Sequence, residues 1–89
     1  MRVIYFVQDT GGGEIKVGVA KKRRLVKLIG KLQLGNPSEL KLLGVIPARN
    51  AAALQRELHT TFSDAHLRGE WFRSTPDLLA YIRQRAVMP

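Results

Sequence analysis

The sequence contains no cysteine among its 89 residues. Disulfide bonds and thiolate metal sites are therefore excluded, and the composition is compatible with a reducing compartment. No apolar run is long enough to cross a bilayer, and the start, MRVIYFVQD, lacks the long hydrophobic stretch and the cleavage site of a signal peptide. These absences predict a cytoplasmic protein that does not enter a membrane.

Acidic residues are also scarce. Asp and Glu total 7 against 15 Lys and Arg, so the net charge is +8 and the pI is near 10.7. Between Glu14 and Glu39 there is no acidic residue, while basic residues occur there at Lys16, Lys21, Lys22, Arg23, Arg24, Lys27 and Lys31. A phosphate backbone is the partner that such a patch favours, and a solvated helix face in a basic protein is the ordinary alternative.

Low-complexity segments, repeats and linkers are absent as well. With 45% hydrophobic residues, the chain is expected to fold as one domain over residues 1–89. The β-branched and aromatic run at 3–7 and the segment EIKVGVA predict a hairpin around QDTGGGE. Leu25, Leu28, Ile29 and Leu32 lie at the spacing of a helix over 21–34.

The second half of the chain predicts one more strand and two more helices. Residues 39–47 form the strand, with Gly44 as a candidate bulge, and Asn50 and Thr75 cap the helices that follow. SDAHLRGEWFR, at 63–73, is expected to be a loop with a short extended end. The order β-β-α-β-α-α predicts an α+β two-layer sandwich, in which three helices flank a three-stranded antiparallel sheet.

Several motifs occur together at compatible spacings along nearly the whole chain. They are the hairpin with Ile4-Tyr5 and then Lys16-Val17-Gly18, the basic helix, LQLGNP, LLGVIP, ELHTTF and RGEWF. Together they resemble the GIY-YIG nuclease superfamily, in the branch with a GEWF-like ending that includes the meiotically up-regulated gene and phage open-reading-frame types.

The resemblance implies a metal-dependent endonuclease that cleaves phosphodiester bonds with one divalent cation, Mg²⁺ or Mn²⁺. Tyr5 corresponds to the family tyrosine that positions or deprotonates the attacking water, and Lys16 replaces the tyrosine of the second triplet. Glu57 corresponds to the metal-ligating glutamate. Cation and guanidinium charge stabilise the negative charge that develops on the phosphorane. Glu70 stands where many relatives carry an asparagine.

The family also uses a helix arginine, and this chain departs from the pattern there. The usual spacing after the glycine reaches Val26, and counting back from LQLGNP reaches Leu28. Arg24 has the expected helix phase because Leu25 follows it, and Arg23 is the second choice. The departure supports an alternative in which the fold and the basic surface are kept and efficient cleavage is lost, since small displacements of a catalytic group can cost about 10²-fold in rate.

Other side chains have two interpretations each. His59 is a candidate catalytic group, and an exposed loop position is expected for His66. Trp71 and Phe72 could stack on bases, although an anchoring role in the core is the better interpretation. Lys21, Lys22, Arg23, Lys27 and Lys31 are the predicted nucleic-acid-binding residues, and DNA is expected over RNA.

Two further function classes stay open at the level of sequence. One is a non-catalytic nucleic-acid-binding module, which would need the basic helix but neither Tyr5 nor Glu57. The other is a small ribosome-associated or protein-interaction domain. A bare nuclease domain has little surface for reading a sequence, so a partner protein or an appended domain is expected to supply targeting.

Overall fold

A computed structural model describes all residues, 1–89. It contains five strands and three α-helices. In chain order they are β1 (Arg2–Asp9), β2 (Ile15–Lys21), α1 (Leu25–Leu34), β3 (Leu40–Pro47), α2 (Ala51–Thr61), β4 (His66–Arg68), β5 (Trp71–Phe72) and α3 (Pro76–Arg85). None of the helices is both long enough and apolar enough to cross a membrane.

The strands form one antiparallel sheet in the order β3-β1-β2-β5-β4. The prediction of three strands was wrong, because β4 and β5 fall within the segment that was expected to be mostly loop. These strands have three and two residues, too short to show the alternation by which a strand is predicted. They form because β5 pairs with the free edge of β2, with Ile15 opposite Phe72 and Lys16 opposite Trp71.

Side chains from both faces of the sheet are buried. Successive residues of β1 point to opposite faces, so Ile4 and Phe6 lie in one core while Val3, Tyr5 and Val7 lie in the other. The core around Phe6 includes residues of α2 and α3, and the core around Tyr5 includes residues of α1. The sheet is therefore the middle of three layers, and the predicted two-layer arrangement was also wrong.

A bulge interrupts the pairing of β1 with β3. Phe6 is opposite Gly44 and Val7 is opposite Leu42, so one residue of β3 is extra at this point. A Cβ atom at Gly44 would lie 2.9 Å from the Cβ of Ala86. The glycine predicted as a bulge therefore also lets the chain after α3 approach β3 closely.

Both predicted helix caps are present. The side chain of Asn50 accepts a hydrogen bond from the backbone N–H of Ala53 (3.0 Å), and that of Thr75 accepts one from Leu78 (3.3 Å). Helix α1 begins at Leu25 rather than at Lys21, because Lys21 pairs with Arg2 in the sheet. Residues 22–24 form a short 3₁₀ turn between β2 and α1.

Candidate functional site

A cluster of polar side chains lies at the edge of β2, where its short neighbour β5 begins. Lys16 is opposite Trp71, and its Nζ lies 5.6 Å from the centre of the Trp71 ring. One residue further, the backbone N–H of Val17 donates to the carbonyl of Glu70 (2.8 Å). This hydrogen bond holds Glu70 beside the strand, and from there its side chain reaches Lys16.

The Glu70 carboxylate has a partner on each oxygen. Its Oε1 lies 3.0 Å from the Nζ of Lys16, and its Oε2 accepts a hydrogen bond from the Nε2 of Gln55 (2.7 Å). The Gln55 amide also donates to the carbonyl of Val17 (3.1 Å). Gln55 therefore ties α2 to the open edge of β2, and the three polar side chains form one connected network.

Tyr5 lies next to this network on the same face of the sheet as Lys16. Tyr5 is opposite Gly18, and Lys16 is opposite Val7, which is buried in the same core as Tyr5. This is the face that α1 covers. A side chain at Gly18 would collide with the ring and the hydroxyl of Tyr5, so only glycine lets the ring lie this close to β2.

The Tyr5 hydroxyl keeps its proton at neutral pH. Burial raises the pKa of this phenol from 10.0 to about 12, and the negative charge of Glu70 adds to the shift. No buried side-chain oxygen or nitrogen in the protein lacks a hydrogen-bond partner. In this arrangement the phenol can donate a hydrogen bond to an incoming oxygen, but it is a poor base.

The structure does not bring Glu57 into the cluster. Glu57 is exposed on α2, two residues after Gln55. Two residues correspond to a rotation of about 200° around a helix, so Glu57 lies on nearly the opposite side of α2 from Gln55. His59 lies one turn after Gln55, on the same side of the helix. Together with Gln55, Arg56, Thr60 and Glu70, it lines a shallow pocket beside the network.

The rings of His59, His66 and Phe72 lie together. The centre of the His59 ring is 4.9 Å from that of Phe72 and 5.3 Å from that of His66. Phe72 is buried, whereas Trp71 is partly exposed on the opposite face beside Lys16. Phe72 therefore anchors its strand in the core, and Trp71 packs against the polar cluster.

The predicted basic patch is exposed along the end of β2 and on α1. Of its seven basic residues, Lys16 pairs with Glu70 in the polar cluster. The other six are exposed and have no acidic partner: Lys21, Lys22, Arg23, Arg24, Lys27 and Lys31. Leu28, by contrast, packs against the core that contains Tyr5.

The polar cluster does not fit a divalent cation in this arrangement. No group of three His, Asp or Glu side chains is placed to hold a metal ion. Glu70 is the one carboxylate of the cluster, and both of its oxygens already accept from Lys16 and Gln55. A cation bound there would also lie beside the Lys16 ammonium, which repels it.

Gln55 is the functional candidate that the sequence interpretation missed. Its four-residue spacing from His59 places both on one side of α2, and this spacing was the available signal. Arg2 and Arg49 were also missed; they line a cleft together with Lys21, Lys22 and Arg23 of the basic patch.

Comparison with known proteins identifies the domain family of the chain. No curated protein and no solved structure is significantly similar to the chain. The model of the T5orf172 domain matches residues 2–87. This domain occurs in phage open reading frames and is associated with GIY-YIG-like and HNH-like nuclease-type modules. Because the match spans almost every residue, the chain belongs to the T5orf172 domain family.

Proposed function

We propose that this chain is an endonuclease-like module that binds nucleic acid through its phosphate backbone. The observation that carries the proposal is the continuous basic surface from the end of β2 along α1, whose exposed cations have no acidic partner in the protein. Phosphate contacts of this kind supply most of the affinity in sequence-independent binding. DNA is the expected polymer because the family is associated with nuclease-type modules.

The polar cluster supports the same proposal. Lys16 on β2 is an ammonium donor and Tyr5 on β1, whose ring lies over Gly18, is a protonated phenol; both are donor types that suit a phosphate oxygen. A module of this size has little surface for reading base sequence, so a partner protein or an appended domain would supply targeting.

Fluorescence anisotropy with labelled duplex DNA, single-stranded DNA and RNA tests the proposal. We expect binding at 50 mM salt that weakens steeply by 200 mM salt. Lys27→Gln should weaken binding and lower the slope of log K against log salt by about 0.9 for duplex DNA. Lys41→Gln is the matched control, because Lys41 is an exposed lysine on β3.

Two results would count against this proposal. Absence of binding to all three polymers at 50 mM salt would favour a protein-interaction or ribosome-associated domain. Equal effects of Lys27→Gln and Lys41→Gln would mean that the surface around α1 is not the binding surface.

Metal-dependent cleavage is the second candidate, with Mg²⁺ or Mn²⁺ as its cofactor. The observation that favours it is the Tyr5 phenol lying beside the ion pair of Lys16 and Glu70, in a family associated with nucleases. Glu57 remains the predicted metal ligand and Arg24 the predicted arginine, although both are exposed and outside the cluster. The fit of the cluster to a cation is poor, so binding is the first candidate.

Plasmid nicking with Mg²⁺, with Mn²⁺ and with EDTA tests the second candidate. Loss of activity in Glu57→Gln alone would support the predicted ligand, and loss in Glu70→Gln alone would assign the chemistry to the polar cluster. Activity that survives both substitutions would come from a contaminating nuclease and would reject this candidate.

A further inference from the structure

The basic surface continues into a cleft at the end of β2, which shares Lys21, Lys22 and Arg23 with it. The cleft lies between the start of β1, the end of β2 with the turn that follows, and the loop between β3 and α2. Its lining residues are Met1, Arg2, Lys21, Lys22, Arg23, Ala48 and Arg49. Five of these seven residues are cationic and none is acidic, so the cleft presents positive charge from three separate segments of the chain.

The fold places two of these cations in direct opposition. Arg2 on β1 is the cross-strand partner of Lys21 on β2. Like charges directly opposite each other destabilise a sheet. Both ion pairs of the protein involve other residues, so no carboxylate compensates this repulsion. An external anion between the two side chains would remove it.

Backbone hydrogen bonds hold the walls of the cleft together. The N–H of Lys22 donates to the carbonyl of Met1 (3.0 Å), and the N–H of Ala48 donates to the carbonyl of Arg2 (3.3 Å). These bonds join the three segments that carry the cations. The positive groups are thus held near one another before any ligand arrives, which lowers the cost of ordering them on binding.

We propose that this cleft binds phosphate groups of the nucleic-acid strand that the basic surface holds. The proposal rests on the proposed function and adds a defined anchoring site to it. Three of the five cations are arginines, whose planar guanidinium groups can each donate two parallel hydrogen bonds to a phosphate. A phosphodiester backbone presents such oxygens in a regular row.

The cleft and the polar cluster are separate sites on β2. Lys21 and Lys16 are five residues apart on this strand, which corresponds to about 16 Å. An odd spacing along a strand points two side chains to opposite faces of the sheet, so Arg2 and Lys21 do not share the face of Lys16. The cleft therefore contacts its phosphates independently of the polar cluster.

A substitution that raises the melting temperature and also weakens DNA binding would distinguish this cleft from an ordinary exposed basic surface. Arg2→Gln removes the repulsion with Lys21, so we expect a higher melting temperature at low salt without ligand. The same substitution should weaken binding of a 12-base-pair DNA duplex several-fold. Arg49→Gln should weaken binding as well, and Arg83→Gln, on the exposed side of α3, is the charge-matched control.

Inorganic phosphate is a second probe of the cleft. At matched ionic strength, phosphate should raise the melting temperature of the wild type more than chloride does, and the Arg2→Gln/Arg49→Gln double variant should lose this difference. The measurement needs no nucleic acid, so it reports on the cleft by itself.

The outcomes separate the two proposals. If the wild type binds the duplex and the Arg2 and Arg49 variants bind like Arg83→Gln, the cleft proposal is overturned while the proposed function stands. If phosphate stabilises the wild type but no polymer binds, the cleft takes a small phosphorylated ligand and both proposals fail. A lower melting temperature in Arg2→Gln would contradict the argument from charge repulsion.

Discussion

Tyr5 and Gly18 lie directly opposite each other on neighbouring strands, and the Tyr5 ring covers the glycine so closely that no side chain fits there. The position of the phenol beside Glu70 and Lys16 therefore depends on a residue that contributes no functional group. The close contact between Tyr5 and Gly18 fixes the Tyr5 ring beside the polar cluster. This contact can be tested without any ligand.

Gly18→Ala should destabilise the protein by about 1–3 kcal/mol, because the added methyl group must displace the Tyr5 ring within a packed core. Urea unfolding measures the difference. Gly30→Ala is the control, since Gly30 is an exposed glycine on α1 with nothing near its missing Cβ. That substitution should stabilise the protein by up to about 1 kcal/mol. Equal effects at the two positions would contradict the close contact of Tyr5 with β2.

Stability at alkaline pH should depend on Tyr5. The folded protein holds the Tyr5 pKa at about 12, whereas the unfolded chain releases this proton near the ordinary phenol value of 10.0. The raised pKa thus contributes stability that is fully present below pH 10 and is lost as the pH rises from 10 towards 12. Tyr5→Phe should show a shallower loss of unfolding free energy over this window. An unchanged alkaline profile in the variant would mean that the phenol titrates normally.

Lys16 and Glu70 should show energetic coupling. Both side chains are partly shielded from water, and Gln55 completes the hydrogen bonding of the carboxylate. A double-mutant cycle with Lys16→Met and Glu70→Gln should give a coupling of about 1 kcal/mol. Arg68 and Glu14, 3.9 Å apart with Arg68 largely exposed, form the comparison pair and should couple more weakly. Coupling no larger than in that pair would show that the cluster is not a connected network.

Asp9 should contribute to stability at neutral pH and lose this contribution in acid. The backbone N–H of Gly11 donates to its carboxylate (2.8 Å), which lowers the pKa, and the Asn36 side chain acts in the same direction from 3.3 Å. The stabilisation is present above the unfolded pKa of 3.8 and disappears as the pH falls through the lower folded value.

Asp9→Asn should therefore be less stable than the wild type at pH 7, and the difference should shrink between pH 4 and pH 2. Thermal unfolding across this range measures it. Asn36→Ala removes one of the donors to the carboxylate and should lower the stability at pH 7 by less than Asp9→Asn does. A constant difference between Asp9→Asn and the wild type at every pH would show that the carboxylate charge is not the cause.

Local patterns in the sequence predicted the central part of the fold. The β-branched and aromatic run at 3–7 predicted β1, and the caps at Asn50 and Thr75 marked the beginnings of α2 and α3. Such features depend on neighbours within four residues, so the printed sequence contains all the information they need. The same reasoning extended α1 back to Lys21, because it did not show that Lys21 pairs with Arg2.

The polar cluster required the tertiary structure. The sequence singled out Tyr5 and Lys16 on the hairpin and predicted a surface rich in positive charge. It suggested Glu57 as the carboxylate, whereas packing of α2 against the sheet brings Gln55 to Glu70, fifteen residues away in the chain. The side of a helix that meets a strand edge depends on how both elements pack, and no short-range pattern encodes it.

The sequence by itself determined the three central strands, the amphipathic helices and the excess of positive charge, because these follow from residue type, from turn residues and from the helical period of 3.6 residues. Only the tertiary structure decided that β4 and β5 extend the sheet, that helices cover both of its faces, and that Arg2, Lys21 and Arg49 meet in one cleft. These contacts join segments far apart in the chain, and they exist because burying both faces of the sheet brings those segments together.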